Sequence, residues 1–148
     1  MDSTLRSKMI FHGALVILLG LLAGFPFALV LTGDLAGSDR AWRMAHLEGV
    51  LNGLLVIAVA AVGGAVRLAP RLQAVMATLF LLTAWGNLVA SVIAALAGVR
   101  GLEPGGPAAN LVVYVIFMVA VVAAIAGLVL LAKGARAAVR GAELSPSI

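Results

Sequence analysis

The chain contains an uninterrupted run, Met9–Thr32, without a single charged side chain. A helix needs about 20 apolar residues to cross a bilayer, so this run is long enough to span a membrane. Comparable runs cover residues 44–66, 72–99 and 108–132. Because 64% of the residues are hydrophobic and only 11% are charged, a water-soluble domain would lack polar surface. We therefore predict one all-α integral membrane domain over residues 1–148, with four transmembrane helices.

Basic residues are distributed unevenly among the segments that connect these runs. The N-terminus, the second loop and the C-terminus hold seven of them: Arg6, Lys8, Arg67, Arg71, Lys133, Arg136 and Arg140. The other two loops hold three, which are Arg40, Arg43 and Arg100. The positive-inside rule then places both termini in the cytoplasm, and short loops favour an antiparallel bundle. Pro70 is expected to stop the second helix, and residues 141–148 are expected to form a disordered tail.

The composition excludes several classes of function. Cysteine is absent, so disulfides, thiolate catalysis and cysteine-ligated metal sites are excluded. The lysines and arginines stand singly or in pairs beside apolar runs, which indicates membrane topology and not a nucleic-acid surface. With two histidines in all, a protein-bound metal would be under-ligated unless a cofactor such as a porphyrin brought most of the ligands.

The second apolar run is the one that carries interior polar residues. Between Arg43 and Ala61 it contains His46, Glu48 and Asn52. Hydrocarbon solvates none of these side chains, so each must find a partner inside the protein. An intramembrane polar residue is by default a candidate for function, and we take this segment as the chemical centre of the chain.

Helical geometry separates two of these residues. At 100° per residue, His46 shares a face with Gly49 and Gly53, whereas Asn52 lies about 120° further round the helix. A histidine above two glycines suits a flat macrocycle, because the missing side chains let a ring approach the backbone. The same GxxxG spacing is equally typical of a helix–helix contact, and the spacing alone leaves both interpretations open.

Other polar and aromatic residues have simpler interpretations. Glu48 is expected to be solvated or salt-bridged near the helix end, the alternative being a proton carrier as in small membrane exporters. His12 and Asn87 are expected to hydrogen-bond to neighbouring helices. Trp42 fits the aromatic belt at the membrane surface, and Trp85 is expected to pack.

The run from Trp42 to Ala60 resembles the second helix of styrene oxide isomerases, small membrane enzymes of styrene degradation. The similarity rests on Trp42, Ala45, His46, Leu51, Asn52, Gly53 and the run 56–60. It continues through Lys8, Met9, His12, Gly13, the stretch 85–87, the stretch 100–102, Gly106 and Pro107.

This resemblance implies a four-helix subunit in a bacterial cytoplasmic membrane that forms a homotrimer with haem b between subunits. Ferric iron would act as a Lewis acid that isomerises small apolar aryl epoxides, as in styrene oxide to phenylacetaldehyde. His46 would be the axial haem ligand, and Asn52 would lie beside the epoxide. The family's catalytic tyrosine is replaced here by Ser91. Further candidates are Asn87 and Tyr114 for catalysis, and Gly49, Gly53, Trp42 and His12 for the haem.

Two other functions stay open at this point. The first is a haem-binding membrane protein without isomerase activity, such as a sensor or electron carrier, which the serine at position 91 favours. The second is a proton-coupled exporter built on Glu48. Because His46 and Asn52 cannot aim at one point from the same helix, we also predict a site shared between neighbouring subunits.

Overall fold

A computed structural model describes residues 1–143 and consists of four helices in this range. They are α1 (Ser3–Thr32), α2 (Asp39–Val62), α3 (Pro70–Ala97) and α4 (Ala108–Glu143). All four are long and apolar enough to cross a membrane, which confirms the predicted all-α, four-span fold. Residues 144–148, which make up most of the predicted disordered tail, lie outside the described residues.

The first and last helices extend beyond the apolar runs that predicted them. The first helix begins at Ser3 and not Met9, because the carboxylate of Asp2 accepts a hydrogen bond from the Leu5 amide (2.7 Å) and caps it. At the other end α4 continues to Glu143, so the expectation of disorder from residue 141 is wrong for the first three of those residues. Charged side chains end an apolar run, but they do not end a helix.

The turn between α2 and α3 also differs from the prediction. The second helix already ends at Val62, and Pro70 is the first residue of α3 instead of the residue that stops α2. Proline is favoured at this position because the first amides of a helix have no partner inside it. The turn is tied to both ends of the chain, since Gly63 O accepts from the Met1 amine (3.3 Å) and the Arg67 amide donates to Gly134 O (3.0 Å).

These contacts place the N-terminus, the turn between α2 and α3 and the C-terminal part of α4 at one end of the molecule. These are the segments in which most of the basic residues lie. Their location in the cytoplasm remains a prediction. Consecutive helices pack against each other, and α1 also contacts α3. Of the other helices in the described residues, α4 contacts only α3, so α1, α2 and α3 pack together and α4 joins them through α3.

Small residues set the contact between α3 and α4. Gly127 lies against the ring of Phe80, and the Thr83 hydroxyl donates to Ala120 O (3.2 Å). Such close packing with an interhelical hydrogen bond is typical inside membranes, where burial of apolar side chains drives little association. The outer faces of α1 and α4 carry exposed leucine, valine and phenylalanine, as a surface in contact with lipid requires.

Candidate functional site

The contact between α1 and α2 is a close approach of two backbones. A Cβ atom added to Gly20 would lie 2.7 Å from the backbone of Gly49, and one added to Gly53 would lie 2.6 Å from Gly13 O. The GxxxG spacing is therefore a helix–helix contact. This corrects the expectation that Gly49 and Gly53 leave room for a macrocycle, because α1 occupies the space above them.

His46 lies on the same side of α2, at the edge of this contact. Its Nδ1 atom is 2.9 Å from Gly20 O on α1. A carbonyl oxygen only accepts hydrogen bonds, so Nδ1 carries the hydrogen and Nε2 keeps its lone pair. A Cβ at Gly24 would approach Nδ1 to 3.1 Å. The absence of a side chain at Gly24 therefore makes room for the imidazole ring.

This arrangement fits a histidine that binds a metal ion. Metal-binding histidines donate their second ring N–H to a carbonyl or carboxylate, which fixes the tautomer and the ring orientation. His46 is half-buried, and Nε2 has no hydrogen-bond partner in the part of the chain that the structure describes. Within that part no three His, Cys, Asp or Glu side chains converge on one point, so the remaining ligands of an iron at His46 would have to come with the cofactor.

Asn52 lies on the other side of α2 and contacts α3. Its Nδ2 atom donates to Glu48 O (2.9 Å) and to Glu48 Oε2 (2.6 Å). Its Oδ1 atom accepts from Asn87 Nδ2 at 3.3 Å. The predicted interhelical hydrogen bond of Asn87 is thereby confirmed, and the three side chains form a polar chain from α2 to α3.

The structure thus keeps His46 and Asn52 apart within one subunit, as the 120° offset predicts. Glu48 has a partner that the sequence analysis does not name. It lies nine positions after Asp39, about 14 Å along the helix from there, and its carboxylate accepts a hydrogen bond from the amide of Asn52. The spacing of four residues between the two side chains was the available signal, because such residues are neighbours on a helix.

A family model of styrene oxide isomerase matches residues 5–136. The chain belongs to the styrene oxide isomerase family. The matched range includes all of the site residues predicted from the sequence. No match was found among curated proteins. Membership supports an isomerase function of this general kind in a multi-pass membrane protein.

Ser91 takes the position where the resemblance to styrene oxide isomerases places a tyrosine. It is buried, with 2% of its surface exposed, and its hydroxyl has no hydrogen-bond partner among the described residues. Ser91 is one turn beyond Asn87 on α3, and Glu48 is one turn before Asn52 on α2. Since the two helices run antiparallel, Ser91 lies at the level of Glu48.

Tyr114 lies on a different helix from Asn52. It is on α4, where its backbone amide is near Gly101. Among the helices of the described structure, α4 contacts only α3, so no helix contact joins Tyr114 to α2. Its catalytic role stays a prediction.

The two remaining aromatic candidates are part of the packing. Trp85 Nε1 donates to His12 Nδ1 at 3.3 Å, so the lone pair of Nδ1 is used and the ring hydrogen lies on Nε2. His12 therefore has the opposite tautomer to His46, with no free lone pair for a metal. Trp42 is buried against Ala23, Ala45 and Ala95, in the first turn of α2, and its place in an aromatic belt stays a prediction.

Both tryptophans also line an apolar cleft of about 410 Å³ between α1 and α3. Other lining residues are Leu22, Pro26, Leu88 and Val92. Neither His46 nor Asn52 is among them, but Trp42 lies one turn before His46 on α2. Its walls are suited to an apolar molecule dissolved in the bilayer.

Proposed function

We propose that the chain is a haem-dependent isomerase that converts aryl epoxides to aldehydes, as in styrene oxide to phenylacetaldehyde. The observation that carries this proposal is His46, whose Nδ1 donates to Gly20 O and leaves Nε2 available, in a member of the styrene oxide isomerase family. His46 Nε2 would hold the iron of haem b.

When bound, ferric haem would supply a Lewis acid for the epoxide oxygen. Overall, a hydrogen moves within the substrate, and no water, net proton or electron is exchanged. The chain meets these requirements with residues of its own. Apolar side chains around α2 exclude water from a reacting carbon that bears positive charge. Asn52 lies beside the substrate and holds Asn87, whose amide can keep an oxygen in one orientation.

The activity can be tested by product analysis. Purified protein in lipid nanodiscs is incubated with styrene oxide, and the products are separated by gas chromatography. We expect phenylacetaldehyde from the wild type and none above the buffer background from His46→Ala. Haem-containing wild-type protein that leaves styrene oxide unchanged would instead support a haem-binding protein of another function.

We further propose that the site is shared between neighbouring subunits of a homotrimer. The support is the separation of His46 and Asn52 on two faces of α2, which point toward α1 and α3 respectively. In this arrangement His46 of one subunit and Asn52 of the next would flank the same substrate. Co-expression of inactive His46→Ala and inactive Asn52→Ala chains should restore part of the turnover, and verified mixed trimers without activity would contradict the shared site.

A further inference from the structure

The hydrogen-bond capacity of Asn52 is almost exhausted inside the protein. Its Nδ2 carries two hydrogens, and these go to the backbone carbonyl and the carboxylate of Glu48. Its Oδ1 accepts from Asn87. A primary amide has two donors and two acceptor positions, so Asn52 has no N–H left with which to bind an oxygen of a ligand.

Glu48 also decides which way the neighbouring amide points. Both of its contacts with Asn52 are acceptors, so the Nδ2 of Asn52 must face Glu48 and its Oδ1 must face α3. Asn87 has to respond with a donor, which it does through Nδ2. The direction of this chain of hydrogen bonds is set at Glu48 and passed through Asn52 to Asn87.

Asn87 is the member of the chain that still has a free donor. One hydrogen of its Nδ2 goes to Asn52, and the second has no partner among the described residues. The side chain is half-buried. On one side of Asn87 along α3 is Ala90, which packs on Val113 of α4. On the other side, α3 meets α2. No contact between α2 and α4 closes over this position in the described structure.

We propose that Glu48 is a positioning residue, which orients the Asn52–Asn87 pair so that Asn87 presents its free N–H to the oxygen of the substrate. The nature of that substrate, an aryl epoxide, rests on the proposed function. Ser91 follows Asn87 by one turn of α3, and its small side chain and unpartnered hydroxyl lie at the level of Glu48. The carboxylate acts here as a hydrogen-bond acceptor and carries no proton across the membrane.

This role separates two substitutions of similar size. Glu48→Gln keeps an acceptor oxygen at the same place, so the orientation of the amides should persist. Glu48→Met removes the acceptor while keeping the length of the side chain. If Glu48 were a proton carrier, Glu48→Gln would abolish its function, because an amide neither takes up nor releases a proton. Leu51→Met, on the exposed outer face of α2, is the matched control for adding a methionine.

The orientation can be measured without reference to activity. The chain has three asparagines, at 52, 87 and 110, so selective ¹⁵N-asparagine labelling gives three side-chain amide signals. The spectra are recorded on the protein in lipid nanodiscs, with any bound haem kept in a diamagnetic ferrous carbonyl form. We expect slow hydrogen exchange at Asn52 in the wild type, Glu48→Gln and Leu51→Met. In Glu48→Met the signals of Asn52 and Asn87 should shift and exchange faster, while Asn110 in the first turn of α4 stays unchanged.

Kinetics with the two enantiomers of styrene oxide provide the second measurement. In Glu48→Met we expect kcat to fall roughly 10- to 100-fold, with KM within about twofold and an altered ratio of kcat between the enantiomers. A merely structural defect would lower kcat equally for both enantiomers. Glu48→Gln should keep the wild-type ratio.

Two results would overturn the inference. One is Asn52 and Asn87 amide signals that do not respond to Glu48→Met, and the other is Glu48→Gln behaving like Glu48→Met in both measurements. A wild-type protein without isomerase activity would contradict the proposed function and not the role of Glu48, which the amide signals judge independently.

Discussion

The two sides of α2 pack against their neighbours in different ways. Toward α1 the helix presents Gly49 and Gly53, and the backbones meet directly with Gly13 and Gly20. Toward α3 it presents Glu48 and Asn52, and the contact runs through side-chain hydrogen bonds. The first side gains van der Waals contact along the whole crossing, and the second satisfies polar groups that lipid cannot solvate.

The difference shows how one helix can carry two kinds of functional group without interference. His46 takes part in the glycine side through a single hydrogen bond to a backbone carbonyl, which leaves one nitrogen free. The amide side is closed around its own donors and acceptors, with Asn87 as its open end. We expect the glycine side to be rigid and intolerant of added volume, and the amide side to lose stability in smaller steps.

The largest effect is expected for Gly49→Ala. The new Cβ would fall inside the backbone of Gly20, and neither backbone can move without separating the helices. We expect a loss of about 3 kcal/mol or more in the free energy of unfolding, measured by unfolding in mixed detergent micelles. Ala58→Leu, at an exposed position of the same helix, should change it little. If both variants unfolded alike, close backbone contact would not be what holds α1 to α2.

A smaller effect is expected for Asn52→Leu on the amide side. This change leaves the Glu48 carboxylate and the Asn87 amide without partners, which costs roughly 2 kcal/mol. The same unfolding measurement checks the value, with Leu54→Ala at an exposed position as the control. A loss as large as that of Gly49→Ala would remove the contrast between the two sides.

The smallest effect is expected at the contact of α3 with α4, which combines both kinds of packing. Thr83→Val removes the hydrogen bond to Ala120 O (3.2 Å) and keeps the shape of the side chain. We expect a loss of about 0.5 to 1 kcal/mol, because Gly127 still packs on Phe80. A loss above that of Asn52→Leu would mean that this hydrogen bond, and not the small residues, holds α4 in place.

The sequence predicts the number and type of the helices because hydrophobic length alone selects membrane spans. It fails at their ends, since Asp2 caps α1 ahead of the apolar run and Pro70 opens a helix instead of closing one. Both residues act through local backbone hydrogen bonding, which a count of apolar residues does not include.

For the candidate site, the sequence predicts only how far apart two side chains lie around the axis of one helix. The spacing of His46 and Asn52 fixes their separation around α2, but not which helix each one meets. That Gly49 and Gly53 are covered by α1, or that Trp42 turns inward onto Ala45 and Ala95, depends on the crossing of helices. The closeness of Arg43 in sequence favours a solvated or salt-bridged Glu48, whereas the bond of Glu48 to Asn52 is seen only in the three-dimensional structure.

We propose that His46 binds a haem iron through Nε2, and an absorption spectrum of the purified protein checks this without any substrate. Protein is purified from cells amply supplied with haem precursor, as the wild type, as His46→Ala and as His12→Ala. We expect a Soret band in the wild type and none in folded His46→Ala. His12→Ala should keep the band, because Nδ1 of His12 already accepts a hydrogen bond from Trp85 in the wild type. A colourless wild type, or a His46→Ala variant that keeps its full Soret band, would contradict it.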